Sequence, residues 1–116
     1  MAQLLRIAPE FPVSNLHDAC EEYEKKLGFR VAMEMPERDY AIVERDGIAI
    51  HLFRDETQHH SPISIHIFAT DLDELFQEFR QSGAAFSQPI LRKPWGTRDF
   101  RLKDASGNEL KFTEPA

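Results

Sequence analysis

Two stretches of this sequence give the same order of signals, and a chain made of one unit used twice has few ways to bury its apolar faces. In the first stretch Asn15 can cap a segment in which Leu16, Ala19, Cys20, Tyr23 and Leu27 recur at helical spacing, and Gly28 stops it. In the second, Thr70 or Asp71 can cap Leu72, Leu75, Phe76 and Phe79, with Glu74 as capping-box partner and Gly83 as the stop. A strand follows each helix, at 29–33 and at 84–86. A hairpin follows each strand. Residues 39–44 and 48–53 flank Arg45-Asp46-Gly47, and residues 99–103 and 108–112 flank Asp104-Ala105-Ser106-Gly107.

The offsets are consistent with duplication. Leu16 maps to Leu72 (56 residues), Gly28 to Gly83 (55) and Gly47 to Gly107 (60), so the drift falls in loops. The expectation is a single α+β domain over 1–116, built of two tandem βαβββ modules at about 3–57 and 62–114, with the join at 57–62. Side by side, the modules would form a curved mixed sheet with a concave cleft and the helices outside.

Composition excludes several classes. A net charge of −6 lacks the clustered Lys and Arg that phosphate binding needs, so nucleic acid is not an expected partner. The densest basic stretch, 92–103, is interrupted by Asp99 and reads as ordinary strand surface. No apolar run is long enough to span a membrane, and the first residues lack a signal-peptide pattern. One cysteine, Cys20, fits a reducing compartment, and the expected location is cytoplasmic. Its place on the apolar helix face makes it an inert core residue rather than a nucleophile.

Strand alternation sorts the remaining residues. Ile48, Ile50 and Leu52 face a helix, leaving Ala49, His51 and Phe53 for the concave side. Ile63, Ile65, Ile67 and Ala69 likewise leave Ser64, His66 and Phe68, while Leu110 and Phe112 leave Glu109, Lys111 and Thr113. A solvated strand face also carries His, Lys and Glu, but Phe53 and Phe68 on a polar face favour a binding surface. His59 and His60, adjacent in a loop, should diverge into solvent.

The string Lys93-Pro94-Trp95-Gly96-Thr97-Arg98-Asp99-Phe100, followed by Asp104-Ala105-Ser106-Gly107-Asn108, resembles the P-W-G-x-R-[DE]-F…D-P-x-G-N signature of bleomycin resistance proteins. Tyr23-Glu24-Lys25-Lys26-Leu27-Gly28-Phe29 resembles the same superfamily's F-Y-x-x-x-L-G-F segment, and Asp71–Leu75 its second helix start. Ala105 stands where that family usually has proline, which bears on the turn. The superfamily (glyoxalase/bleomycin resistance/extradiol dioxygenase, or vicinal oxygen chelate) has two βαβββ modules.

The resemblance carries the metal positions of the superfamily's enzymes onto Ala8, His51, Ser64 and Lys111. Only His51 ligates in the usual way, and about three ligands are normal. A register shift gathering His51, His66 and Glu10 or Glu109 would be needed to restore a site. With that ligand set missing, the expectation is a non-enzymatic protein with no cofactor, no metal and no catalytic residue, and the resemblance to bleomycin resistance proteins implies that it sequesters a bleomycin-class antibiotic at a homodimer interface. Its ligand-binding residues would be Tyr40, His51, Phe53, Ser64, His66, Phe68, Trp95 and Lys111, with Tyr40, Phe53, Phe68 and Trp95 stacking on a cationic aromatic ligand. Lys111 works against a cation. For Trp95 a packed turn holding the hairpin is the competing role. The alternative activity is a metal-dependent lyase, dioxygenase or thiol transferase of the same superfamily.

Overall fold

The cap and stop residues read from the sequence define the first module. In the computed structural model, which describes residues 1–55, 57 and 60–115, Asn15 takes an extended conformation and its side chain accepts from the Asp18 amide at 2.9 Å. This starts α1 (Leu16–Leu27). Gly28 ends it in the left-handed region (φ 73°), where a Cβ would also come within 2.8 Å of the Arg45 guanidinium. Ahead of the helix lies β1 (Glu10–Val13), and after it β2 (Arg30–Met35), a short 3₁₀ turn, β3 (Tyr40–Arg45) and β4 (Ile48–Arg54). Asp46 and Gly47 both take positive φ (50° and 82°), the two-residue turn that an Asp-Gly pair favours.

The second module repeats the order with β5 (Ser64–Phe68), α2 (Leu72–Ser82), β6 (Phe86–Arg92), β7 (Arg98–Lys103) and β8 (Glu109–Glu114). The fold is α+β: two tandem βαβββ modules. Each contributes a mixed four-stranded sheet, in the orders β1-β4-β3-β2 and β5-β8-β7-β6. Duplication extends to the register. Glu10 lies opposite His51 in the parallel pair β1–β4, and His66 opposite Lys111 in β5–β8. Glu10 to His66 is 56 residues and His51 to Lys111 is 60, the offsets read from the sequence.

Several local expectations fail for identifiable reasons. Asp71 sits at φ 52° and its side chain caps nothing, so the Asp71–Glu74 capping box does not form. The first strand starts only at Glu10, which leaves Ala8 ahead of it. The strand expected at 84–86 starts at Phe86 and continues to Arg92 through Pro89. Proline is tolerated there because β6 is an edge strand.

Both modules feed one core. Phe11, Tyr23, Leu52 and Val43 from the first are buried with Leu72, Phe79, Phe100 and Leu110 from the second. Cys20 belongs to this core at 2% exposure; burial, reinforced by the charge of Glu34, pushes its thiol up to about 11. Cys20 is expected to ignore a disulfide reagent at pH 8 in the folded protein and to react within seconds in denaturant. Rapid labelling of the native protein would contradict its placement.

Arg98 ties α2 to the end of β8. Its guanidinium donates to Asp73 (2.9 Å) and Glu114 (2.8 Å), and both carboxyls are held below their ordinary values by those bonds. Groups with depressed values stabilise the fold fully above the unfolded-state range, near about pH 4, and lose that contribution as pH falls through the folded values. The urea midpoint should therefore stay level from neutrality to about pH 5 and drop below about pH 4, with a shallower drop in Arg98→Met.

Candidate functional site

The concave-side residues divide between two sheets. On the first sheet β4 offers Ala49, His51 and Phe53, each half-buried, and β3 adds Tyr40 and Ile42. Tyr40 lies opposite Phe53, diagonal to His51, and its long side chain spans the difference. The Tyr40 hydroxyl is 2.6 Å from His51 Nδ1 and 2.7 Å from a Glu10 carboxylate oxygen. Burial, the hydrogen bond to Glu10 and that residue's charge push the phenol up to about 12. Phe53 meets the ring of His60 edge to face at 5.2 Å.

His60 shows what the sequence missed. It is exposed, as expected, but Asp55 orients it through both its amide (2.9 Å) and its ring (3.1 Å). His59 lies outside the described residues. Glu10 is the second omission, since it entered only as a spare metal ligand.

On the second sheet His66 stacks on Phe68 (6.2 Å between centroids) and bonds Thr113 through Nδ1 at 3.2 Å. Phe68 is nevertheless 68% exposed. Ser64 donates to Glu109 at 3.4 Å. Lys111 lies between His66 and Arg101 in register and has no ionic partner among the described residues. Trp95, in the β6–β7 turn, is 72% exposed. A packed turn held by its ring is thereby excluded, because the turn is closed by backbone bonds between Lys93 and Thr97 and between Gly96 and Lys93.

The basic stretch at 92–103 is not plain surface. Asp99 is 3% exposed, and Gln88 (2.7 Å), Lys93 (3.4 Å) and Arg101 (3.5 Å) converge on it. Burial opposes its ionisation, but these donors outweigh it and hold the carboxyl below the usual range. Asp99 and Arg98, adjacent on β7, point to opposite faces; what was not legible is that three separate residues would fold over Asp99.

Two cavities follow the seam between the sheets. One of about 820 Å³ runs between Arg45, Ile67, Leu75 and Phe79 on the helix side. The other, about 440 Å³, is lined by Ile48, Ala49 and Ile50 from one sheet and Ile65, His66 and Phe68 from the other. Of the eight residues singled out from sequence, only His66 and Phe68 line either. No hydrogen bond or ring contact joins the Tyr40–His51–Phe53 group to the Ser64–His66–Phe68–Lys111 group among the described residues. His51 and His66 lie on different sheets. Among the described residues no three His, Cys, Asp or Glu side chains gather as a metal would require.

The family described as Glyoxalase/Bleomycin resistance protein/Dioxygenase superfamily matches residues 3–112. The chain belongs to that superfamily. Sequence comparison with curated proteins finds no match. Among solved structures, the bleomycin-binding protein from bleomycin-producing Streptomyces verticillus, complexed with copper(II)-bleomycin, is similar with TM-score 0.85 and 26% identity over 100% of both chains. A bleomycin resistance determinant encoded on the transposon Tn5 has TM-score 0.84 and 18% identity, covering 96% of this chain and 98% of that one. TioX from Micromonospora sp. ML1 has TM-score 0.83 and 22% identity over 95% and 98%. The last two establish likeness of fold. Against the superfamily's metal positions, Ala8 has no donor, Ser64 is engaged with Glu109 and Lys111 is a cation, so the residues do not fit a resident metal. No helix among the described residues is long and apolar enough to cross a membrane.

Proposed function

We propose that this protein binds and sequesters a flat, aromatic, cationic antibiotic of the bleomycin class without changing it chemically, and that it does so in the cytoplasm as a homodimer. The observation that carries this reading is the exposure of Phe68 and Trp95 on strand and turn surfaces that otherwise hold polar residues. Large apolar rings held in water cost free energy unless something covers them, and a stacked aromatic ligand contributes about 0.5–1.5 kcal/mol per ring beyond the area it buries. The likeness to a protein complexed with copper(II)-bleomycin over its whole length supports the ligand class, and the charge of −6 favours a cation's approach. Titration calorimetry with metal-free and copper-loaded bleomycin tests the reading. Saturable heat is expected for both, with Trp95→Ala and Phe68→Ala each weakening binding by about tenfold.

A partner copy is supported by the segment before β1. Leu4, Leu5 and Ile7 stand almost fully in solvent there, and Ile7 lines the smaller cavity with the partly exposed Ile48 of β4. Deleting residues 2–8 should shift the light-scattering mass from about twice the 13.4 kDa chain toward one chain. A full-length protein that is already monomeric at ~100 µM would remove the dimer from the reading.

The superfamily's metal-dependent lyases, dioxygenases and transferases are the alternative. They require a ligand set that Ala8, Ser64 and Lys111 do not supply. Stoichiometric divalent metal in protein purified without chelator would restore that alternative.

A further inference from the structure

We propose that the Tyr40–Glu10 pair locks His51 as the Nδ1-protonated tautomer, so that His51 Nε2 serves as a hydrogen-bond acceptor selecting ligands that present a positively charged N–H donor. This rests on the reading that the first sheet's concave face takes a ligand, and it names the chemical class that face selects. Tyr40 Oη carries one hydrogen and lies within hydrogen-bond distance of two groups, the Glu10 carboxylate at 2.7 Å and His51 Nδ1 at 2.6 Å. A carboxylate can only accept, so the phenol donates to Glu10. Its own lone pair must then receive a hydrogen from Nδ1. The opposite arrangement would set the phenol's lone pairs against those of the carboxylate.

A neutral imidazole with hydrogen on Nδ1 has a lone pair on Nε2. That atom has no partner among the described residues. Nor is it sealed in: the one buried, unpartnered side-chain nitrogen or oxygen among them is Arg101 Nε. Apart from Glu10, opposite His51 on β1, the surroundings are apolar and aromatic. Ile42 lies opposite His51 in register, Met33 lies beyond Ile42, and Ala49 and Phe53 flank His51 along β4. An acceptor in such a wall rewards a matching donor and penalises a second acceptor, because an unmatched polar group there loses water without replacement. Glu10, two hydrogen bonds behind through Tyr40, biases the choice toward a cation. Lys111, the cation that would oppose this, lies on the other sheet, opposite His66 in register.

The positions of the three residues explain why this arrangement belongs to the first module only. The second module places His66 where the first has Glu10 and Lys111 where it has His51. No carboxylate can back that histidine from the equivalent position.

Two measurements test the proposal. Long-range proton–nitrogen correlation on ¹⁵N-labelled protein reads the tautomer directly: His51 should show a protonated Nδ1 and a bare Nε2 in the native chain, and lose that state in Tyr40→Phe. A neutral His51 protonated on Nε2 in the native protein overturns the proposal. For selection, 2-naphthylmethylammonium and 2-naphthoate share a ring and differ in the sign of the head group. The ammonium should bind about tenfold tighter to the native protein, with the preference falling below about threefold in Tyr40→Phe. Equal or tighter binding of naphthoate overturns the acceptor subsite while leaving ligand binding intact. No binding of either at about 1 mM removes the subsite and the binding reading together.

Discussion

Asn108→Ala is expected to destabilise the protein by about 3–5 kcal/mol, enough to lower the urea midpoint by more than about 1 M. Asn108 is 0% exposed and its side chain satisfies three groups at once. Its amide nitrogen donates to the Pro12 carbonyl (2.9 Å) and to Asp104 (3.0 Å), and its oxygen accepts from the Ile63 amide (2.9 Å). Pro12 lies in the first module, and Ile63 leads into β5. Tyr23, from α1, adds its hydroxyl to the same Asp104 carboxylate at 2.9 Å. The knot thus fastens the first module's strand and helix to the second module's hairpin. Alanine would strand the buried Pro12 carbonyl, the buried Asp104 carboxylate and the half-buried Ile63 amide, a buried group costing about 1–3 kcal/mol. Asn108→Asp is expected to be no better, since it turns the donor toward Pro12 and Asp104 into an acceptor. Equilibrium unfolding decides this, and a loss below about 1 kcal/mol would mean the knot does not hold the modules together.

Phe100→Ala should cost about as much, roughly 3–5 kcal/mol, by a different mechanism. Phe100 is fully buried, and its ring meets Phe76 (5.4 Å), Phe79 (6.0 Å), Phe86 (5.8 Å) and Phe112 (5.2 Å). These rings come from α2, β6 and β8, so the cavity left behind has walls on three elements that cannot all close on it. Phe100→Leu should recover about half of the loss, because it refills most of the volume while giving up the ring contacts. Thermal unfolding of the two variants would show this order. An alanine variant as stable as the leucine variant would mean that the site collapses freely.

Much of this was legible in the sequence because it rests on local signals. Asn15 and Gly28 mark the ends of α1 by chemistry that needs no partner, and Asp46-Gly47 specifies its turn through the φ values it tolerates. The repeat was legible for the same reason: caps, stops and turns recur at fixed offsets. The site residues were only half legible. Alternation placed His51, Phe53, Ser64, His66 and Phe68 on the open side, yet it could not tell that the two modules would present them on separate sheets. Asp99 and Asn108 belong to the motif, but their roles depend on partners elsewhere in the chain, at Gln88, Pro12 and Ile63. Only the fold brings those together.

The duplicated unit offers surfaces with aromatic rings and single polar groups, proposed above to hold a molecule without transforming it. The most direct test is to incubate the protein with one equivalent of bleomycin, isolate the complex by gel filtration, release the ligand in denaturant and weigh it by mass spectrometry. The account predicts that bleomycin co-elutes with the protein and returns with its mass unchanged. Bleomycin that fails to co-elute, or that returns chemically altered, would contradict it.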